Sequence, residues 1–238
     1  MFYSNEFKLL FVACPKTGST SVEEALMKLD SEGQRFSLDH GGNTYTSAHV
    51  ASGSLGHATA LEFQRLLGAE DFAQLTVFGF VRDPREKLVS TYFFKRKGSI
   101  WNSLRNTKGP KRAVVTIRSI GGILMARVLP FSLWARLWPM KQCSQYFHDE
   151  NGNLLVDYLG LTNRLDKDLT RILFRCGVAG MNEREVPHVN KSVHQNPDTY
   201  FSPSLNRYVE KKYAGDVALF RLVERGIFER QYERSIRN

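Results

Sequence analysis

A chain of 238 residues is long enough to bury the core of one α/β domain, and its hydrophobic fraction of 42% excludes wholesale disorder. The net charge of +9 is concentrated in one segment. Twelve of the 33 Lys and Arg residues lie between Glu86 and Asp149, an interval without Asp or Glu. The apolar stretch at 120–138 is broken by Arg127, Pro130 and Arg136, which excludes a transmembrane helix there.

Cysteine usage and the first apolar strand indicate the compartment. Cys14, Cys143 and Cys176 are an odd number of cysteines without the spacing of a metal site, which is typical of a reducing environment. The first strand begins near Lys8, which leaves no room for a signal peptide. We therefore expect a single domain over residues 1–238 with a basic and apolar insertion at about 95–141. Either the protein is cytoplasmic or peripheral to a membrane, or an N-terminal membrane anchor has been removed from the chain.

The first motif lies in residues 9–22, LLFVACPKTGSTSV, which combine an apolar strand, a turn rich in Gly, Ser and Thr, and a helix start. Ser21 and Glu24 have the spacing of a capping box. A helix N-terminus suits a phosphate or sulfate, and Lys16 adds a full charge beside it. In the Walker loop the lysine follows the last glycine, whereas Lys16 precedes Gly18. This order argues against an ordinary ATPase or GTPase.

The second motif, RDPREKLVSTY, spans residues 82–92 and follows an apolar strand predicted over 76–81. Asp83 as N-cap and Pro84 as the first helical residue predict a helix from there to about Lys95. Such a strand end would place Arg82 at the C-terminal edge of a parallel sheet, with Ser90 on the helix that follows. Open α/β folds bind their ligands at that edge.

Together the two motifs resemble those of sulfotransferases that use 3′-phosphoadenosine 5′-phosphosulfate (PAPS), in particular the carbohydrate type and its soluble, bacterial-type members. The first motif is similar to the family's 5′-phosphosulfate loop and the second to its 3′-phosphate site. The family usually has arginine where this chain has Lys87, and lysine lacks the bidentate fork. The resemblance implies an α/β three-layer sandwich with a mainly parallel central sheet and a P-loop-like phosphosulfate-binding loop.

The resemblance also implies roles for individual residues. His57, in a helix predicted over 56–68, stands where the family usually has its general base, and His49 is the alternative. The positive end of that helix would keep a histidine neutral near pH 7. A later segment, VPHVNKSVH from residue 186, resembles the loop that closes over the nucleotide. The predicted PAPS-binding residues are Lys16, Thr17, Gly18, Ser19, Thr20, Ser21, Arg82, Ser90, Asn190, Lys191 and Ser192.

The reaction implied is transfer of a sulfuryl group from PAPS to a hydroxyl of an acceptor, expected to be a carbohydrate or glycan. It would leave 3′,5′-ADP and need no metal. Lys16 and the loop amides would stabilise the charge that develops on the leaving phosphate oxygen. Two alternatives stay open. One is a P-loop-like kinase using ATP, and the other is a non-catalytic polyanion-binding protein, which would not explain the second motif. We expect no nucleic-acid partner.

Residues 98–140 match no part of the family pattern. Their broken apolar stretch predicts either a pair of helices that covers the core or a substrate cleft, or a helix on a membrane surface through about 111–140. A short strand is predicted near Tyr45. The Asn151-Gly152 dipeptide predicts a hairpin of two strands within residues 145–158. Helices are predicted over 165–176, over 203–213 and from Asp216 onward.

Overall fold

A computed structural model describes residues 1–30, 34–35, 58–101, 103, 112–178, 186 and 196–230. Within this part of the chain, the strands form one six-stranded sheet in the order β3-β1-β2-β4-β5-β6. The strands are β1 Phe2–Ser4, β2 Leu9–Val12, β3 Gln34–Arg35, β4 Thr76–Val81, β5 Tyr158–Leu161 and β6 Phe228–Glu229. The short strand predicted near Tyr45 lies outside the described residues.

The sheet is parallel at its centre and antiparallel at its edges. β2, β4 and β5 run parallel to one another. β1 pairs with β2 and β3 antiparallel, and β6 pairs with β5 antiparallel. The predicted mainly parallel sheet is therefore correct for the three central strands and wrong for the edges. A strand of two or three residues is too short to show a period-2 pattern, so the sequence did not indicate β1 or β6.

The helices connect these strands and pack against them. Their bounds are α1 Ser19–Leu29, α2 Ala60–Leu67, α3 Ala69–Ala73, α4 Pro84–Lys97, α5 Arg112–Val128, α6 Phe131–Leu137, α7 Ser144–Phe147, α8 Leu165–Arg175, α9 Pro203–Lys212 and α10 Ala214–Glu224. Short 3₁₀ turns cover Thr162–Arg164 and Pro197–Tyr200. α8 and α9 confirm the helices predicted over 165–176 and 203–213.

Both faces of the central strands are covered by side chains from helices. A Cβ at Gly79 would lie 2.5 Å from the ring of Phe147, the last residue of α7. A Cβ at Gly160 would lie 3.0 Å from Asp168 of α8. Gly79 pairs with Leu159, so Gly79 and Gly160 face opposite sides of the sheet. Glycine at these two positions therefore lets α7 and α8 approach the sheet from opposite sides.

Three helix starts test the capping signals. α4 begins as predicted, because Asp83 accepts a hydrogen bond of 2.7 Å from the backbone N–H of Arg85. α1 has Gly18 as N-cap and begins at Ser19, so the predicted capping box at Ser21 is wrong. α2 begins at Ala60, where Thr59 and Glu62 form a capping box. The helix start predicted at residue 56 is therefore wrong as well.

The predicted hairpin within residues 145–158 is mostly wrong. Residues 144–147 form α7, and pairing is reduced to one antiparallel bridge between His148 and Leu154. The turn itself is present, with Gly152 at a positive φ of 83°. The Asp149 carboxylate accepts hydrogen bonds from two backbone N–H groups of this turn. Local turn chemistry was thus read correctly, while the helix before it was missed.

Residues 112–140 form the predicted pair of helices, α5 and α6, which pack on α4. Their inward side chains build a second hydrophobic cluster, separate from the one around the sheet. Trp134 is fully buried in it, and Tyr92 and Phe131 contact Trp134 at ring centroid distances of 5.2 and 6.3 Å. None of the described helices is both long and apolar enough to cross a membrane.

Candidate active site

The C-terminal ends of the three parallel strands meet at one edge of the sheet. The loop 13–18 follows β2, Arg82 follows β4, and Thr162 follows β5. Thr162 Oγ1 donates a hydrogen bond of 3.0 Å to the carbonyl of Val81, the last residue of β4. A Cβ at Gly18 would lie 3.7 Å from Thr162. The ends of β2, β4 and β5 are therefore in direct contact, as expected for a ligand-binding edge.

The loop after β2 holds two residues in the left-handed region. Lys16 has a φ of 69° and Gly18 a φ of 79°. For a residue with a side chain, this conformation costs about 1–2 kcal/mol, and such strain concentrates at functional sites. Thr17 is buried and donates a hydrogen bond of 2.9 Å to the Cys14 carbonyl, which fixes the turn. No side chain caps α1 at Gly18, so its positive end is not covered by a cap.

Arg82 connects the two motifs. Its Nη1 donates a hydrogen bond of 3.3 Å to the Lys16 carbonyl, and its Nε donates one of 3.1 Å to Glu86 Oε2. The Glu86 contact spans one turn of α4, so it holds the guanidinium at the strand end. Residues that are 66 positions apart in the sequence are thereby brought into contact at the sheet edge.

The Lys16 ammonium is half-buried and lies 4.1 Å from the ring centroid of Phe94 on α4. Burial and, to a smaller extent, the positive charge of Arg82 lower the pKa of Lys16 to about 8. Among the described residues, no carboxylate forms an ion pair with Lys16 within 4.0 Å. A cation that is partly desolvated and has no neighbouring carboxylate gains the most from an anionic ligand.

The other predicted donor-site residues differ in accessibility. Ser19 and Thr20, in the first turn of α1, are partly exposed beside the loop. Ser21 and Ser90 are buried, and Ser90 is only 1% exposed on the inward side of α4. Of the predicted set, the structure therefore groups Lys16, Arg82 and the start of α1 at an accessible edge, and it places Ser90 beneath the surface.

Lys87 lies in a buried polar cluster that the sequence did not indicate. Its Nζ donates a hydrogen bond of 2.9 Å to the Lys141 carbonyl and lies 3.1 Å from Cys143 Sγ and 3.2 Å from Asp216 Oδ2. Burial alone would lower the pKa of Lys87, but Cys143, Cys14 and Asp216 raise it well above the usual value. Lys87 is therefore a structural cation.

Several predicted site residues lie outside the described residues: His49, His57, Asn190, Lys191 and Ser192. The start of α2 still bears on His57. Because Thr59 is the N-cap of α2, His57 precedes the cap by two residues, and the dipole effect falls off within about one turn of the helix end. The dipole argument for a neutral His57 is accordingly weaker than the sequence suggested. Elsewhere in the described part of the chain, no three His, Cys, Asp or Glu side chains form a group that could hold a metal ion.

The chain belongs to the sulfotransferase family, whose model matches residues 1–232. The match spans both motifs and all three strands whose ends form the edge described above. The protein is therefore a transferase of the sulfuryl group. Comparisons with curated proteins and with solved structures gave no match.

Proposed function

We propose that this protein transfers a sulfuryl group from PAPS to a hydroxyl of a carbohydrate or glycan. The observation that carries the proposal is the 3.3 Å contact between Arg82 and the Lys16 carbonyl, which joins the two motifs at the C-terminal edge of the parallel strands. A donor that carries a phosphosulfate at one end and a 3′-phosphate at the other requires a cationic group for each of them within the same binding site.

In this proposal the 5′-phosphosulfate occupies the P-loop-like turn before α1. The acceptor oxygen forms its bond to sulfur while the bond from sulfur to the 5′-phosphate oxygen breaks, and 3′,5′-ADP leaves. Negative charge grows on that phosphate oxygen during the transfer. The Lys16 ammonium and the backbone N–H groups of residues 18–20 stabilise this charge because they are fixed beside it before the reaction. No step of this transfer requires a metal.

The 3′-phosphate is assigned to Arg82 and Ser90, and Asn190, Lys191 and Ser192 close over the nucleotide. Arg82 is 19% exposed at the edge, so it can reach a ligand with a small adjustment. Ser90 is buried, so its contact with a phosphate requires a local opening beside α4. Arg82 is therefore proposed as the main contact and Ser90 as the smaller one.

His57 is proposed as the general base that takes the acceptor's proton as the new bond forms, since imidazole has a suitable pKa near neutral pH. We expect a His57→Ala variant to bind PAPS with nearly unchanged affinity and to lose about 10²–10⁴-fold in turnover. His49→Ala is the matched control. Normal turnover in His57→Ala together with an inactive His49→Ala would transfer the role to His49.

Calorimetric titration tests the proposed donor. We expect binding of PAPS and of 3′,5′-ADP with micromolar or tighter affinity, in buffer that contains EDTA, and much weaker binding of ATP with or without Mg²⁺. ATP binding that depends on Mg²⁺ would indicate the kinase alternative. Binding of heparin with no saturable binding of any nucleotide would indicate a polyanion-binding protein.

A further inference from the structure

An apolar stripe on α5 faces outward although the opposite side of the helix is packed. At 100° per residue, Ile117, Gly121, Leu124 and Val128 fall within roughly 60° of one another. Ile117, Leu124 and Val128 are between 47% and 77% exposed, and no atom of the described residues lies within 4 Å of a Cβ placed on Gly121. On the opposite side of α5, Ala126 belongs to the second hydrophobic cluster and Ile123 is buried. α5 is thus apolar on both sides.

The next helix, α6, also exposes two leucines one turn apart, Leu133 and Leu137, which are 43% and 55% exposed. The other side of α6 is buried through Trp134 and Ala135. We call the five exposed side chains on α5 and α6 the apolar surface: Ile117, Leu124, Val128, Leu133 and Leu137. Exposed apolar side chains that are grouped on one face of a helix mark an interaction site more often than scattered ones do.

Positive charge flanks this surface. On the helical wheel of α5, Arg118 lies on one side of the stripe and Arg127 on the other, each roughly a quarter turn away. Arg127 is held in place, since its Nη2 donates a hydrogen bond of 2.8 Å to the Gly98 carbonyl. The interval from Lys87 to His148 contains no acidic side chain to offset these charges. An apolar stripe with basic flanks is the pattern of a helix that lies in a membrane interface.

We propose that the apolar surface docks this protein on an anionic lipid bilayer. Charge complementarity favours this partner over a second copy of the chain, because a symmetric dimer would bring two basic surfaces together. Insertion of the five side chains removes apolar area from water, while Arg118 and Arg127 remain at the level of the anionic headgroups.

The surface shares α4 with the candidate active site. Phe94 of α4 contacts Lys16, and Lys95 of the same helix has its Nζ 5.3 Å from the Trp138 ring that follows α6. A bilayer docked on the apolar surface would therefore lie beside α4, the helix whose Phe94 contacts Lys16. On the proposed function, this assigns the acceptor to hydroxyl-bearing molecules carried by a membrane, such as a lipid-linked glycan.

Vesicle flotation tests the docking without donor or acceptor, so its result is independent of the proposed function. The unmodified protein is compared with Leu124→Ser/Val128→Ser/Leu137→Ser on vesicles of phosphatidylcholine alone and with about 30% phosphatidylglycerol. Phe174→Ser/Leu222→Ser is the matched control, because these side chains are 79% and 50% exposed on α8 and α10. Arg118→Gln and Arg171→Gln form a second matched pair, since both arginines are exposed on helices.

We expect the unmodified protein to float with the anionic vesicles and to dissociate as salt is raised. The triple variant should bind at least about tenfold more weakly, Arg118→Gln about threefold more weakly, and both control variants like the unmodified protein. Equal losses in the Phe174 and Leu222 control would overturn the proposal. An absence of vesicle binding would also overturn it. In that case, a dimer that dissociates in the triple variant would identify a second copy of the chain as the partner of the apolar surface. A melting temperature that falls only in the triple variant would show that another segment of this chain covers the surface.

Discussion

Two lysines of the motifs, Lys16 and Lys87, have contrasting surroundings. Lys87 is 1% exposed and lies 3.2 Å from the Asp216 carboxylate, and its neighbours raise its pKa. Lys16 is only half-buried, contacts the Phe94 ring, and has its pKa lowered to about 8 by burial and by Arg82. Both lysines follow a central strand of the sheet, and each lies in one of the two motifs.

This difference distinguishes Lys87, a structural cation, from Lys16, a cation that can bind a ligand. A buried charge is tolerated when a partner and hydrogen bonds compensate it, and Lys87 has all of these. Lys16 is partly desolvated without a carboxylate among the described residues, so its environment favours loss of the proton. An anionic phosphosulfate would supply the missing compensation. Lys16 should therefore matter for ligand and reaction, and Lys87 for folding.

The largest expected effect is on stability, from Lys87→Met. Removal of the ammonium leaves the Asp216 carboxylate buried without its partner, which typically costs about 3–5 kcal/mol of the free energy of unfolding. Urea denaturation measures the loss. The double variant Lys87→Met/Asp216→Leu should recover part of it, because no buried charge remains. A single variant that loses less than about 1 kcal/mol would show that the pair is not the structural cation site inferred here.

The next effect is on turnover, from Lys16→Ala. We expect kcat to fall about 10²–10³-fold while PAPS affinity falls less, since the ammonium acts mainly on charge that develops during transfer. Stability should change little. Lys8→Ala is the matched control, because Lys8 also has a positive φ, of 50°, but lies in the β1–β2 turn. Equal losses in affinity and rate would mean that Lys16 serves ground-state binding instead.

A smaller effect on donor binding is expected from Arg82→Ala. A charge-assisted hydrogen bond to the 3′-phosphate is worth about 1.5–3 kcal/mol, so PAPS should bind about 10–150-fold more weakly. Adenosine 5′-phosphosulfate, which lacks the 3′-phosphate, should bind nearly as before. Arg85→Ala is the control, since Arg85 pairs with Asp83 and Asp198. If both ligands weaken alike, Arg82 acts by supporting the loop at the Lys16 carbonyl.

Much of the fold around the site could be predicted from local signals. β2 and β4 read as apolar runs, and α4 follows from Asp83 and Pro84, because these signals act within a few residues. The edge strands β1 and β6 and the one-turn helix α7 were missed, since each is too short to show a period. The start of α1 was misplaced because Gly18, through its left-handed conformation rather than a side chain, serves as the N-cap.

The candidate site, like the fold, was predictable only where local sequence signals identify the residues. The spacing of the motifs identified Lys16 and Arg82, and the structure places them in contact at one edge. The sequence could not show that Lys87 faces inward, because its partner Asp216 is 129 positions away. Nor could it identify Phe94, whose role depends on the position of α4 beside the loop. Long-range contacts, rather than residue types, decide which of the charged groups reaches a ligand.

The smallest expected effect separates the two lysines by pH. Because the pKa of Lys16 is about 8 while that of Lys87 is raised, only Lys16 should lose its proton near neutral pH. If the ammonium form is the active one, kcat/KM for PAPS should fall as pH rises through about 8, since this constant reports the free enzyme. Lys16→Arg should be less active and should lack this alkaline limb, because arginine keeps its proton. A limb that persists in Lys16→Arg would assign the titration to another group.

The contact between Lys16 and the Phe94 ring should shift the midpoint of that limb. A cation–π contact at an exposed site favours the charged form by about 0.5–1 kcal/mol, and 1.36 kcal/mol corresponds to one pKa unit. Phe94→Leu keeps apolar bulk beside the ammonium and removes the π face, so the midpoint should move down by about 0.5 pH unit. Arg82, whose charge also lowers the pKa of Lys16, remains in place and should leave this difference unchanged. Phe94→Tyr should keep the original midpoint, and a midpoint that is the same in all three proteins would show that burial and Arg82 alone set the pKa of Lys16.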